Sequence, residues 1–340
     1  MSIDLLAVSP ARRRAIEALA VELVPGRRVA ISTHLHADGD GCGSETALSR
    51  MLVAHGLAPR IVNPTPWPAM YDYLLGDGVD DQSSRGAKAL RDLDLFIVLD
   101  ISDVKRLGVL TDAVRALTAP KLVIDHHLES DDPAGLLALS DTTACATAEL
   151  IYDFALVMGW TVTPAVAQSL YTGMLTDTGG FRFSNTTPRC LAVAAQLLAV
   201  GVDPEEMYTR IYASAPAGRV RLMAEVLGTL QVDEVIGLAW LSMDPDALDK
   251  HDVKSEDLDG IVEHARSIAG TRMALFFRDL GHRKVKVSFR SIGGTDVNAF
   301  ARKFGGGGHA KASGALVSGS LDEVRASIVT AARDFLGARS

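Results

Sequence analysis

The stretch Arg28–Ser44, RVAISTHLHADGDGCGS, passes from an apolar segment into a loop dense in histidine, aspartate and glycine. Arg28–Thr33 is short, apolar and partly β-branched, which predicts a strand. His34, His36, Asp38 and Asp40 follow it at once. Gly39, Gly41 and Gly43 are expected to let this loop turn tightly between the charged residues. Gly43-Ser44 is expected to open a helix over Ser44–His55, which Gly56 closes. Its free N–H groups could hold an anion, or Ser44 could simply cap it.

Working outward, Leu93–Asp100 (LDLFIVLD) and Lys121–Asp125 (KLVID) are near-continuous apolar runs. Such runs suit strands buried on both faces of a parallel sheet. Arg60–Asn63 is a shorter strand candidate. Helices are predicted from Ser9-Pro10 to Pro25-Gly26 and at about 142–158, 164–175, 187–200 and 203–212. The alternation predicts an α/β fold with an N-terminal doubly wound parallel sheet. A helical stretch, Pro216–Leu230, comes next. Beyond it, strands at 235–242, 272–278 and 284–290 interleave with helices at 255–268, 296–303 and 320–336. The last opens with a capping box, Ser320 and Glu323. The chain of 340 residues is thus expected to form two domains, residues 1–200 and a smaller α/β domain over 231–340. Residues 201–230 would be a helical linker, with an active cleft between the domains.

Composition narrows the function. Apolar residues are 48% and charged residues 22%, which excludes a disordered chain. The net charge of −8 argues against a protein that coats long nucleic acid. Three cysteines, Cys42, Cys145 and Cys190, fit a reducing cytoplasm better than a stapled secreted fold. The first residues carry no apolar core of signal-peptide length. The longest uncharged run, Phe154–Thr176, contains Gly159, Pro164, Gln168 and Ser169, so it reads as two soluble helices and not as a membrane span.

In an open parallel sheet, ligands bind at the carboxyl ends of the strands. Acids and histidines fall at four predicted strand or helix ends: in the His34–Asp40 loop, at Asp100, at Asp125-His126-His127, and at Asp177. A lone Asp at such an end is ordinarily a turn former. Several carboxylates and imidazoles on one sheet edge would repel unless cations neutralise them. Two divalent ions sharing a bridging carboxylate would do so, and paired ions suit phosphoryl chemistry. Mixed imidazole and carboxylate ligands favour Mn²⁺, with Mg²⁺ as the harder alternative.

These residues carry a resemblance. HLHADGDGCGS, the Asp after LDLFIVL, Asp125-His126-His127 and the TDTGGFRFSNTT stretch from Thr176 resemble the motifs of the DHH phosphoesterase superfamily. Gly305–Gly308, His309 and the AKASG that follows resemble the glycine-rich motif of its DHHA1 domain. The resemblance spans nearly the whole chain and is closest to the branch of stand-alone oligoribonucleases and pAp phosphatases. It implies one metal on His34, Asp38 and Asp100, and a second on Asp40, Asp100, His126 and Asp177, bridged by Asp100. It also implies a catalytic set of Asp100, His126, His127 and Asp125, in which His127 faces the scissile phosphate and Asp125 orients a histidine. His36 is left as a loop residue and Cys42 as packing.

Residues 271–311 hold nine Lys or Arg and two Asp, a local net of +7 that leaves −15 for the rest. A solvated face is the simple explanation of such a block. Its run into the glycine loop favours phosphate binding, with backbone N–H groups of Gly306, Gly307 and Gly308 approaching an anion. Arg290, His309, Ser313 and, in the first domain, Arg182 complete the expected substrate-binding set. The resemblance implies hydrolysis of short RNA, of linear dinucleotides such as pApA, and of the 3′-phosphate of adenosine 3′,5′-bisphosphate (pAp). No long nucleic acid and no membrane are expected as partners, and a homodimer is compatible with the sequence. The alternatives are another DHH phosphodiesterase, acting on cyclic dinucleotides or short single-stranded DNA, and a non-catalytic nucleotide-binding module. Metal-dependent release of phosphate or nucleotide separates the last from the others.

Overall fold

Alternating apolar side chains give the first sheet two buried faces. The computed structural model describes residues 4–258, 260–308 and 310–337. It divides into two compact units between Ser214 and Ala215. The first unit runs α1 (Pro10–Ala20), β1 (Arg28–Ser32), α2 (Gly39–Ala54), β2 (Ala58–Ile61), β3 (Leu95–Leu99), α3 (Thr111–Ala116), β4 (Lys121–Asp125) and β5 (Leu137–Ser140). It continues with α4 (Thr147–Met158), α5 (Pro164–Asp177), α6 (Pro188–Val200) and α7 (Pro204–Tyr212). All five strands are parallel, in the order β2-β1-β3-β4-β5. Val29, Ile31, Ile97 and Ile124 pack on a core with α1, α2, α4, α5 and α6. Their sequence neighbours Ala30, Phe96, Val98 and Val123 pack on the opposite face with Val104, Leu107 and Val114. This is the doubly wound arrangement expected. Its strand order reverses between β1 and β3, the switch point at which such sheets bind ligands.

The start of α2 differs from expectation. It begins at Gly39, with the Asp38 side chain accepting from the N–H groups of Asp40 and Gly41, both at 3.1 Å. Gly43-Ser44 therefore lies inside a helix and offers no free helix start to an anion. Gly39, Gly41 and Gly43 have no left-handed backbone. They are required by close approach: a Cβ on Gly43 would lie 2.3 Å from the Ser169 carbonyl oxygen of α5, and one on Gly41 would lie 2.8 Å from Thr33 Oγ1.

One further difference has a simple cause. β5 was not predicted: Leu136–Leu139 is apolar but short, and the edge strand it forms exposes Leu137 and Ala138. The uncharged run splits as expected: α4 ends at Gly159, in the left-handed conformation, and Thr163 caps α5. No described helix is long and apolar enough to cross a membrane.

The second unit runs α8 (Ala217–Leu227), β6 (Gln231–Asp233), β7 (Leu238–Met243), α9 (Ala247–His251), α10 (Ile261–Arg266), β8 (Met273–Asp279) and β9 (Lys284–Ser291). It ends with α11 (Val297–Ala301), β10 (Gly307–Gly308), β11 (Ala312–Ser318) and α12 (Leu321–Gly337). Its six strands lie in the order β10-β11-β9-β8-β7-β6, antiparallel except for β7 beside β8. Leu275, Phe277, Val287 and Phe289 pack with α11 and α12, while Leu241, Ala274 and Phe276 pack with α8 and α10. The stretch expected as a linker holds α7 in the first unit and α8 in the second. The capping box forms: Ser320 N–H donates to Glu323 Oε2 at 2.9 Å and Glu323 N–H to Ser320 Oγ at 3.4 Å.

Candidate metal centre

Each element delivers its acid or imidazole at an end that meets the switch point. β1 runs out into His34, which is buried and carries Nδ1 at 2.8 Å from the Leu35 carbonyl. Donation there leaves Nε2 as the available nitrogen. Nε2 stands 3.4 Å from Asp100 Oδ2 and 3.6 Å from Asp38 Oδ2. β3 runs out into Asp100, whose φ is +63°. Left-handed backbone at a buried residue other than glycine costs on the order of 1–3 kcal/mol and persists only where surrounding structure imposes it. Here the Asp100 N–H is held by the Ile124 carbonyl at 3.0 Å.

β4 runs out into Asp125, His126 and His127. His126 Nδ1 lies 3.4 Å from the Ala144 carbonyl. His126 Nε2 is buried with no hydrogen-bond partner, yet it faces Asp100 Oδ1 at 3.5 Å, Asp177 Oδ2 at 3.6 Å and Asp40 Oδ2 at 3.8 Å. Asp177 comes from the last residue of α5. Asp125 is fully buried and accepts from His127 Nδ1 at 2.8 Å and from its N–H at 3.2 Å. His127 Nδ1 also lies 3.7 Å from Asp100 Oδ1. Asp125 thus orients His127, whose side chain is 44% exposed.

The electrostatics are those of a site short of positive charge. Burial and then the charge of Asp40 push the Asp100 carboxyl well above the usual range. Burial also raises Asp40. It raises Asp177 to about 6, with Asp40 adding to the rise and His126 opposing it. Burial alone would lower His34, but Asp100 and Asp38 outweigh it and lift His34 to about 10. The Asp125 hydrogen bond raises His127.

The donor set fits divalent cations. His34, Asp38 and Asp100 form one ligand triad, and Asp40, His126 and Asp177 form another. Asp100 also groups with His126 and His127, so it stands between the two triads. Ligand atoms about 2.0–2.2 Å from a shared ion stand roughly 3.0–3.5 Å from one another. The spacings above lie at or slightly beyond that range, and a divalent ion there would give the buried, unpartnered His126 Nε2 and the three carboxylates around it a common partner.

The remaining sequence-predicted residues stand elsewhere. His36 is an exposed loop residue with φ +56°. Cys42 is fully buried beside Ala37, Tyr71 and Leu74. Arg182 is exposed and donates Nε to the Gly179 carbonyl at 2.6 Å. In the second unit, Arg290 on β9 pairs its Nε with Glu263 Oε1 at 3.0 Å. Gly306 N–H is taken by the Ala301 carbonyl at 3.0 Å. Gly307 and Gly308 form β10 against Gly314 and Ser313. A Cβ on Gly306 would lie 2.2 Å from the Gly314 carbonyl oxygen, so strand packing is one reason for glycine there. His309 lies outside the described residues. Sequence reasoning missed the buried Thr147 at the head of α4, which contacts both Asp40 and Asp100. A threonine opening a helix reads as an ordinary cap, and only the fold brings it to these acids.

Comparison with known proteins identifies the family of the chain. The DHH family, N-terminal domain, matches residues 28–174, and the DHHA1 domain matches residues 232–338. The chain is 34% identical to the bifunctional oligoribonuclease and PAP phosphatase NrnA of Thermus thermophilus, over 90% of this chain and 89% of that protein. It is 30% identical to the protein of the same description from Bacillus subtilis, over 85% and 89%. A solved structure of an exopolyphosphatase-related protein from Bacteroides fragilis superposes with a TM-score of 0.84 at 26% identity, over 96% of this chain and 98% of that one. With a DHH domain, a DHHA1 domain and relatives of this identity across most of its length, the chain belongs to the DHH phosphoesterase family.

Proposed function

We propose that this centre hydrolyses the phosphodiester bonds of short oligoribonucleotides, including linear dinucleotides such as pApA, and the 3′-phosphate of pAp. The observation that carries the proposal is the buried, unpartnered Nε2 of His126 facing Asp40, Asp100 and Asp177, beside the triad of His34, Asp38 and Asp100. The activities by which the Thermus and Bacillus relatives are described support the substrate class.

His34, Asp38 and Asp100 would hold one divalent ion, and Asp40, His126 and Asp177 the other, with Asp100 shared. The mixed donors favour Mn²⁺, with Mg²⁺ as the alternative. Such a pair supplies Lewis acidity, a nucleophilic water at neutral pH and neutralisation of phosphoryl charge. The chain's own residues do the rest. Asp125 accepts from Nδ1 of His127 and so fixes the ring, leaving Nε2 to hold a proton toward a phosphoryl or leaving oxygen. The raised pKa of His127 favours that protonated form. Its exposure gives a substrate access to it. We assign metal binding to the first unit and nucleotide holding to the second, where the basic block and the glycine loop lie.

A substrate panel with Mn²⁺ tests this: pAp, dinucleotides, a 5-mer and a 24-mer RNA, cyclic dinucleotides and pyrophosphate. Product release from pAp and dinucleotides is expected to outpace release from the 24-mer at matched concentration and salt, because the acidic body repels a long polyanion. A 24-mer degraded as fast as a dinucleotide, or pyrophosphate as the preferred substrate, would overturn the assignment.

A further inference from the structure

Asp40 and Asp100 come from different elements, yet one side chain and its backbone touch both. Thr147 donates its N–H to Asp40 Oδ2 at 2.6 Å and its hydroxyl to Asp100 Oδ1 at 3.1 Å. The next residue, Ala148, donates its N–H to Asp40 Oδ1 at 3.0 Å. Both oxygens of Asp40 are thus held by the first turn of α4, where the helix dipole also favours a negative charge. Thr147 is fully buried. It is not a cap: the capping position is Ala146, which has no side-chain bond to offer, and the Thr147 hydroxyl points at a carboxylate.

The segment leading into Thr147 is fixed from both sides. The Cys145 N–H donates to Glu149 Oε2 at 3.0 Å, and the Cys145 carbonyl accepts from Asn185 Nδ2 at 2.8 Å. The same Asn185 nitrogen reaches Asp177 Oδ2 at 3.3 Å. Space is also reserved for this arrangement: a Cβ on Gly173 would lie 2.7 Å from Asp40 Oδ1 and 2.8 Å from Ala148 Cβ.

We propose that Thr147 is a positioning residue that sets the carboxylate planes of Asp40 and Asp100, and so couples the two halves of the metal centre. This rests on the assignment of those two acids as ligands. The carboxylate orientation is fixed before an ion arrives, so Thr147 acts on affinity as well as on turnover. Groups that orient ligands in this way typically govern about 10–100-fold in metal affinity or activity.

The test is Mn²⁺ titration of the metal-stripped full chain, read as free Mn²⁺ by electron paramagnetic resonance, beside a melting curve of each metal-stripped variant. Thr147→Val keeps the shape and the N–H but removes the hydroxyl donor, and should bind Mn²⁺ roughly 10-fold or more weakly. Thr147→Ser restores the donor and should stay within about 3-fold of wild type, well inside the loss typical of removing such a group. Thr147→Pro removes the N–H as well and should bind more weakly still. Proline is tolerated at the first helical position, and the extended Ala146 before it, at φ −167° and ψ 159°, suits a following proline. A Thr147→Val protein that binds Mn²⁺ like wild type overturns the proposal. So does a loss shared equally by Thr147→Ser, or a loss that merely follows the folded fraction in the melting curves. Wild-type protein that binds no Mn²⁺ would instead refute the metal centre itself.

Discussion

Asp100 joins three requirements that conflict in the absence of metal. It is buried, it neighbours other carboxylates, and its backbone sits at φ +63°. The last is tolerated best by Asp and Asn among residues with side chains, because a short polar group can bond locally. Asp100→Asn should therefore fold, and relief of carboxylate repulsion should leave the metal-stripped protein at least as stable as wild type. Added Mn²⁺ should raise the melting temperature of wild type but not of Asp100→Asn. Turnover of pAp should fall by about 10³ or more in Asp100→Asn and Asp100→Ala, on the scale of losing a principal electrostatic stabiliser. Activity of Asp100→Asn within tenfold of wild type would contradict the shared-ligand role. The pH dependence of the metal-stripped protein follows from the same charges. Asp177, raised to about 6, binds its proton more tightly folded than unfolded, so its contribution is lost as pH rises from about 4 through 6. His34, raised to about 10, contributes fully below about 6.5 and loses that contribution as pH rises to about 10. Both signs agree: the metal-stripped melting temperature should fall between pH 5 and pH 9. Excess Mn²⁺ should flatten or reverse that fall, because metal binding displaces these protons and so strengthens as pH rises. Melting curves across this range, with and without Mn²⁺, check the prediction.

Among the elements, α1 shows what periodicity cannot reveal. Arg12 lies in a basic run, Arg12-Arg13-Arg14, that reads as a solvated helix face, yet it is buried. Its Nε meets Asp141 Oδ2 at 2.6 Å, and its Nη1 meets Glu149 Oε1 at 2.7 Å and Asp153 Oδ2 at 2.8 Å. Arg189 at the start of α6 pairs with the same Glu149 and Asp153. This network ties α1 and α6 to α4, whose first turn holds Asp40. Arg12→Ala would leave the buried Glu149 and Asp153 with Arg189 as their one remaining guanidinium, a loss toward the lower end of about 3–5 kcal/mol, read as a lower denaturation midpoint of the first unit. Arg12→Lys should recover only part of it, because an ammonium cannot reproduce the planar fork. Full stability in Arg12→Ala would remove the network from the account. The strands buried on two faces and most helices were legible because such burial leaves apolar runs, and because proline and capping residues punctuate α1, α5 and α12. So were the acids at strand ends. The true start of α2 was hidden because Asp38 both caps the helix and joins the His34 triad, while its glycines answer to packing against α5 and Thr33. β10 and β11 escaped notice because Gly307, Gly308, Ala312, Ser313 and Gly314 carry little hydrophobic signal. Arg12 and Thr147 were illegible for one reason: their partners lie far away in sequence, and only the completed fold brings them together.

At the scale of the whole molecule, charge is divided as the proposed functions are. Every proposed metal ligand lies at or before Asp177, whereas the net +7 of residues 271–311 lies in the second unit. If that block holds nucleotide, its side chains should affect substrates in proportion to the phosphate and nucleoside they carry, and should not affect metal binding. Arg290 is the sharpest probe, because its guanidinium already pairs with Glu263 Oε1. A substrate phosphate must share or displace that contact, so the net gain is a difference. A charge-assisted hydrogen bond contributes about 1.5–3 kcal/mol, roughly 10–150-fold, and the existing pair places Arg290 toward the lower end. Arg290→Ala should therefore retain its metals by elemental analysis and lose roughly 10-fold in kcat/KM on pAp. The loss should appear in KM if the contact is equal in ground and transition states, and in kcat if it places the scissile phosphate. Bis-p-nitrophenyl phosphate, which lacks a second phosphate and a nucleoside, should be hydrolysed almost as fast as by wild type. Equal slowing of both substrates, or loss of metal from Arg290→Ala, would mean that the second unit supports the metal centre and does not hold the nucleotide.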